Sequence, residues 1–273
     1  MQSSPWRIDG HTARLESATF RAEIDLLNPS AGVSRLEVRG AAISDGALFR
    51  VKLPPFSSAY SVGEVSTSGA SGQSAHERSL DFFSRGNDLV AVYGEAAGNP
   101  FRAQIYWRLL PALPFDSADN TNQSIAALEL ILSIQTSLLD SDPALAVETN
   151  LATNKISQLT ESNNCRFVDL PIPSASELVN ANLATGCFVF RPANARMVYI
   201  EMVHPADFRH STLERVGQSG TLRLAHRLFA ERLEKGVILR SRIRGIFAAA
   251  ETDLAAISRA YQEFAESEPP LTA

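Results

Sequence analysis

The chain has 273 residues, with 25 Lys and Arg against 30 Asp and Glu, for a net charge of −5 at neutral pH. Hydrophobic residues make up 45% and charged residues 20%, an ordinary balance for a globular chain long enough to bury a core without staples. The mildly acidic charge argues against general nucleic-acid binding, which needs a basic surface.

The N-terminal MQSSPWRIDGHTARLE has no charged n-region followed by an apolar h-region, and no run approaches the roughly 18 apolar residues of a membrane span. The expectation is a cytoplasmic protein with no membrane partner. From Phe20 the pattern has period two: Phe20, Ala22, Ile24 and Leu26 alternate with Arg21, Glu23 and Asp25, as in a half-buried strand. NPSAG (28–32) then reads as a turn, because Pro29 presets φ and Gly32 permits a left-handed position. VSRLEVRG (33–40), ALFRVKL (47–53) and AYSVGEV (59–65) continue as short strands between breakers.

Residues 66–79, rich in Gly, Ser and Ala, predict a flexible loop that carries His76 and Glu77. DLVAVYGEA (88–96) and FRAQIYWRLLP (101–111) predict strands joined by a turn at GNP, and 111–124 predicts a second long loop. IAALELILSIQTSLL (125–139) predicts a long apolar strand, and 140–196 looks irregular, with breakers at DSDP, SNN, PIP and RPAN. RMVYIEMVHP (196–205) predicts a strand ended by Pro205.

TLRLAHRLFAERLEKGVILRSRIRGIFAA (221–249) reads as a β-hairpin about Glu234-Lys235-Gly236. With that turn, Arg240 would face Ala230, Arg242 would face Leu228 and Arg244 would face His226. Only TDLAAISRAYQEFAES (252–267) is helical, with Leu254, Ile257, Tyr261 and Phe264 on one stripe, Thr252 as N-cap and Pro269-Pro270 after the stop. No fixed-period repeat and no clear linker divides the chain, so a single domain over 1–273 is expected. Many strands and one helix predict an all-β fold, a large antiparallel β-sandwich with a C-terminal amphipathic helix.

FRAEIDLLNPSAGVSRLEVRGAAI resembles the opening of the galactose-mutarotase-like β-supersandwich domains, with a strand, a Gly-bearing turn and a second strand into another Gly. LELILSIQT and RLEKGVILRSRIRGIF also sit where that class places sheet strands. The resemblance is one of pattern and order over most of the chain. It implies a sugar-active or sugar-binding protein, with carbohydrate as partner and no cofactor. Aldose epimerases of that class carry His-x-Tyr-Phe and a late glutamate base, whereas here His204 lies in EMVHPAD and His210 in FRHST.

Four groups of residues are candidates for chemistry. Arg240, Arg242 and Arg244 stand two apart, so a strand puts all three on one face about 7 Å apart. Such a row suits a carboxylate, sulfate or phosphate, or else carboxylates of the protein itself, with Glu129, Glu201 and Glu231 in reach by sequence. Arg102, Gln104, Tyr106 and Arg108 share another strand face, good chemistry for sugar hydroxyls. If both faces belong to one sheet, they make one site for an acidic or phosphorylated sugar. The alternative is a solvated, salt-bridged surface.

Glu201 with His204 would serve proton transfer in an epimerase, although residues three apart on a regular strand point to opposite faces. Asp207 and His210 could form a separate pair. His226, among Leu222, Leu224 and Leu228, reads as a core histidine. Cys165 and Cys187 lack metal-ligand spacing, so no metal site is expected, and the absence of GxGxxG, Walker, GxSxG and HExxH patterns disfavours nucleotide-dependent chemistry and the common serine or zinc hydrolases. A reading from a different class is a protein-interaction or assembly module.

Overall fold

The computed structural model describes residues 4–53, 80–95, 101–115, 124–143, 145–162, 164–173, 176–179, 185–192, 196–206, 208–217, 220–229 and 232–268. The predicted strand at 59–65, the loop at 66–79 with His76 and Glu77, the GNP turn, most of the loop at 111–124, Asp207, Ala230, Glu231 and Pro269-Pro270 lie outside them.

The strands of the first half are β1 (Trp6–Asp9), β2 (Thr12–Glu16), β3 (Phe20–Asp25), β4 (Val33–Val38), β5 (Ala41–Ala42), β6 (Ala47–Lys52), β7 (Leu80–Arg85), β8 (Asp88–Tyr93), β9 (Arg102–Leu110) and β10 (Ala126–Gln135). Then come β11 (Asp140–Ser141), β12 (Leu145–Ala152), β13 (Lys155–Glu161), β14 (Arg166–Asp169), β15 (Glu177–Val179) and β16 (Cys187–Arg191). The chain ends with β17 (Met197–Val203), β18 (His210–Val216), β19 (Thr221–Leu228), β20 (Leu233–Glu234), β21 (Ile238–Ala249) and the helix α1 (Leu254–Glu266).

Among the described residues, ten strands form one sheet in the order β1-β2-β3-β4-β6-β12-β19-β18-β15, with β5 on β4. Nine form the other, in the order β14-β13-β16-β17-β21-β10-β9-β8-β7. Each pairing is antiparallel, and the alternating apolar residues of both sheets meet in one core that includes Leu15, Ile24, Phe49, Trp107, Leu130, Phe188, Tyr199, Leu224 and Phe247. The all-β sandwich with a C-terminal helix is therefore the fold.

At the turn read from NPSAG, Pro29–Ala31 form a 3-10 turn, and Gly32 takes φ 72. A Cβ on Gly32 would lie 2.4 Å from the Leu48 carbonyl oxygen, so the close approach of β6 also requires glycine.

Three expectations are corrected. Residues 140–196 are not irregular, for they supply β12, in the interior of the ten-stranded sheet, and β13 and β16, second and third from one edge of the nine-stranded sheet. Their short strands are separated by Pro, Asn and Ser breakers that hide the period. The predicted hairpin at 221–249 does not form: β19 pairs with β12 and β18, while β21 pairs with β10 and β17 in the opposite sheet. The turn itself exists, with Gly236 at φ 85 and Val237 N–H donating to the Glu234 carbonyl. However, β20 leaves it to pair with β11, and Arg232 clamps Asp140 beside them. Arg240 consequently faces Ser133, Arg242 faces Ile131 and Arg244 faces Glu129.

The helix cap also moves by one residue. Asp253 is the N-cap, accepting from the Ala255 N–H, and Thr252 is buried before it. Ile257, Tyr261 and Phe264 are buried against Cys187, Val189, Ile200, Met202 and Ile246 on the outer face of the nine-stranded sheet. Burial of each such side chain contributes about 1.5–3 kcal/mol. Tyr261 accepts from the Gly186 N–H, and burial pushes its phenol up to about 12.

Candidate functional site

On the outer face of the nine-stranded sheet, cross-strand rows are set by register. One row runs Asp88–Arg108–Glu129–Arg244 over β8, β9, β10 and β21. The next holds Tyr106, Ile131 and Arg242, and the next Gln104, Ser133 and Arg240. Arg102 lies one row further, opposite Gln135. The two strand faces singled out in the sequence therefore belong to one surface, separated only by β10.

Several of these side chains are engaged by the protein itself. Arg244 donates from Nε and Nη2 to one Glu129 oxygen, at 3.0 and 2.7 Å. Arg108 grips Asp88 in a two-pronged pair at 2.7 and 2.9 Å, which raises the Arg108 pKa. Arg242 donates to the carbonyls of Phe264, Ser267 and Glu268 and to the Ser267 hydroxyl. It so completes the C-terminal end of α1, where the helix dipole favours a cation. The guanidiniums of Arg242 and Arg244 each lie 4.5 Å from the centre of the Phe264 ring.

That leaves Arg240, Arg102 and Tyr106. Arg240 has a buried Nε without an acceptor. Burial, then the charge of Asp88, raises the Tyr106 pKa, so its hydroxyl stays a donor at neutral pH.

Glu201 and His204 are separated by the sheet. His204 is buried under α1, edge-on to Phe264, and accepts from the Ala206 N–H through Nδ1. Burial and the neighbouring Arg242 charge lower its pKa and keep the ring neutral. Glu201 points the other way, into the core between the sheets, with no exposed surface. One of its oxygens accepts from the hydroxyls of Thr149 and Tyr199, both at 2.6 Å, and the other meets His226 Nε2 at 2.8 Å. His226 Nδ1 pairs with the Ser211 hydroxyl at 2.7 Å. His226 is thus a core histidine, as its leucine neighbours predicted, and it is the partner of Glu201. Gly245, directly opposite Glu201, makes room for this network: a Cβ there would lie 2.5 Å from the Tyr199 hydroxyl.

A second polar surface, on the outer face of the ten-stranded sheet, went unnoticed in the sequence. The alternation of β12 and β19 buries Val147, Thr149, Leu151, Leu222, Leu224 and His226 and turns their neighbours outward. Register then lines up Lys52–Ala146–Arg227–His210, Arg50–Glu148–Ala225–Thr212 and Asn150–Arg223–Glu214. Four cations face two carboxylates.

At the centre, the same Glu148 oxygen lies 3.5 Å from Arg50 Nη1, 3.8 Å from Lys52 Nζ and 3.6 Å from Arg223 Nε. These are ion-pair distances too long for hydrogen bonds. Glu148 Oε2, Arg223 Nε and Asn150 Oδ1 are buried without hydrogen-bond partners. Partial burial, and the Arg50 and Arg223 charges, lower the Lys52 pKa against the pull of Glu148. The signal that could have found this cluster is the outward set of alternating residues in VETNLATN and TLRLAHRL. It is visible only once β6, β12 and β19 are known to be neighbours.

Among the described residues, no group of three or more His, Cys, Asp or Glu side chains is arranged to hold a metal ion. No described helix is long and apolar enough to cross a membrane.

No family model matches the sequence, and no curated protein matches it closely enough to count as a relative. Solved structures do match the fold. A protein assigned as an aldose 1-epimerase from Escherichia coli K12 superposes with a TM-score of 0.58 at 9% identity, over 86% of this chain and 98% of that one. Slr1438 from Synechocystis sp. PCC 6803 gives 0.56 at 9% identity, over 91% and 99%. YeaD from Salmonella typhimurium, assigned as a mutarotase, gives 0.53 at 10% identity, over 89% and 93%. At these identities the likeness speaks for architecture alone. The fold is a galactose-mutarotase-like β-sandwich.

Proposed function

We propose that this protein binds an anionic carbohydrate, a sugar phosphate or a uronic acid, on the outer face of its ten-stranded sheet. The observation that carries this reading is the slack ion cluster around Glu148. Three cations surround one Glu148 oxygen at distances too long for hydrogen bonds, and that oxygen, Arg223 Nε and Asn150 Oδ1 are buried without hydrogen-bond partners. Leaving such atoms unpaired costs about 1–3 kcal/mol each, which a ligand's oxygens and hydroxyls would recover. Arg50, whose Nε already donates to the Ser30 carbonyl, and Arg223, whose Nη1 already donates to Glu214, would turn their remaining N–H groups to the anionic group, while Asn150 and Glu214 would order the hydroxyls. The sugar-related assignments of two of the structural neighbours support the ligand class.

Titration calorimetry with glucose 6-phosphate, glucuronate and glucose at low and moderate salt tests the proposal. Binding that favours the anions, weakens with salt and drops at least tenfold in Arg223→Ala is the expected result. A flat response across the panel overturns it.

The face bearing Arg102, Tyr106 and Arg240 supports a second contact surface for the same ligand class, because Arg240 carries a buried guanidinium nitrogen with no acceptor. Calorimetry would then find two sites per chain, and Arg240→Ala would remove the weaker one; a single site unchanged in Arg240→Ala removes this face. A protein-interaction role rests on the exposed Leu138, Leu139, Val237 and Ile238 at the adjoining ends of β10 and β21. Size-exclusion mass distinguishes it: a monomer at micromolar concentration speaks against self-assembly.

A further inference from the structure

A groove of about 580 Å³ opens between the β4–β5 turn of one sheet and Pro192, Arg196 and Met197 of the other. Its floor is the apolar edge of the core: Phe247, Tyr199, Leu151 and Ile125. Its rim carries two guanidiniums, Arg39 and Arg196, both on exposed residues. None of the described residues lining it is acidic.

Arg39 is fixed in place by its turn. Val38 pairs with Ala41, so Arg39 and Gly40 are the two central residues of a tight hairpin, at φ 50 and 78. The Arg39 N–H also donates to the Thr19 carbonyl at 2.8 Å. A left-handed conformation costs a side-chain-bearing residue about 1–2 kcal/mol, and glycine or asparagine would avoid or reduce that cost. Here the position holds a cation at the mouth of an apolar recess.

We propose that this groove binds an amphipathic carboxylate, such as a medium-chain fatty acid, with the chain over Phe247 and Leu151 and the head group between Arg39 and Arg196. The volume is that of a small-molecule site, and apolar walls with a few convergent polar groups are the usual form of one. A neutral chain would leave both arginines unused, and a small hydrophilic anion would leave the floor wet. Only a ligand with both parts satisfies the whole groove.

Titration of the full chain with hexanoate, octanoate and decanoate below their micellar concentrations, with decanol as the uncharged control, tests this. The expected result is one site per chain, affinity rising about fourfold for each added methylene, and decanol at least tenfold weaker than decanoate. The Arg39→Ala/Arg196→Ala double variant should lose decanoate binding. Ala42→Trp, an exposed position that fills the groove edge without touching the core, should block it too. Glucose 6-phosphate binding at the outer face should be unaffected in both. The proposal is overturned by no binding, by equal binding of decanol, or by decanoate affinity that survives the double variant.

Discussion

Strands β12 and β19 carry two carboxylate-centred clusters on their opposite sides, and the two differ in how completely they are satisfied. Inward, Thr149 and His226 join Tyr199 in holding Glu201 by hydrogen bonds of 2.6–2.8 Å. Outward, their near neighbours Glu148 and Arg223 stand 3.6 Å apart, with polar atoms left over. A closed network of short bonds has no capacity for a ligand, so its role is to join the sheets. An open one, half-buried and charge-rich, has capacity to spare. Completeness of hydrogen bonding, rather than residue type, separates structural polar groups from candidate contacts.

Removing the inner carboxylate should have the largest effect. Glu201→Ala leaves His226, Tyr199 and Thr149 without their common acceptor and should cost about 3–5 kcal/mol in urea unfolding; a loss below 1 kcal/mol would erase the distinction between the two clusters. Gly245→Ala comes next, because its Cβ would press on the Tyr199 hydroxyl and the Phe49 ring. A loss of about 1–3 kcal/mol in urea unfolding is expected, and a loss within error of zero would show that these neighbours can give way.

His204 gives a pH signature of its own. Its pKa is lowered in the folded state by burial and by Arg242, with the Ala265 and Ser267 backbone opposing. The unfolded chain therefore binds the proton more readily. This contribution is fully present above the usual imidazole value near 6.5 and is lost as pH falls through 6.5 toward the folded value. Stability should decline by less than about 1.4 kcal/mol per pH unit there, and His204→Phe should flatten that part of the curve. The smallest stability effect belongs to the outer cluster. Glu148→Gln should change unfolding free energy by no more than about 1 kcal/mol, yet tighten glucose 6-phosphate binding about fivefold to tenfold by removing a competing anion. Weaker binding in this variant would instead make Glu148 a ligand contact.

The residues themselves determined most strand segments outside 140–196, the covering helix with Ile257, Tyr261 and Phe264 inward and the burial of His226. These depend on local periodicity, which a chain carries within itself. They also determined that Arg240, Arg242 and Arg244 share a face, and that Glu201 and His204 do not. Only the tertiary structure decided that β19 and β21 part into different sheets, and hence that Arg244 meets Glu129, Arg242 meets the end of α1 and Glu201 meets His226. Strand pairing joins residues a hundred positions apart, as Arg244 and Glu129 are, and no local pattern encodes which strand becomes the neighbour. The cluster of Arg50, Glu148 and Arg223 was invisible for the same reason: its members come from three strands whose adjacency the sheet alone creates.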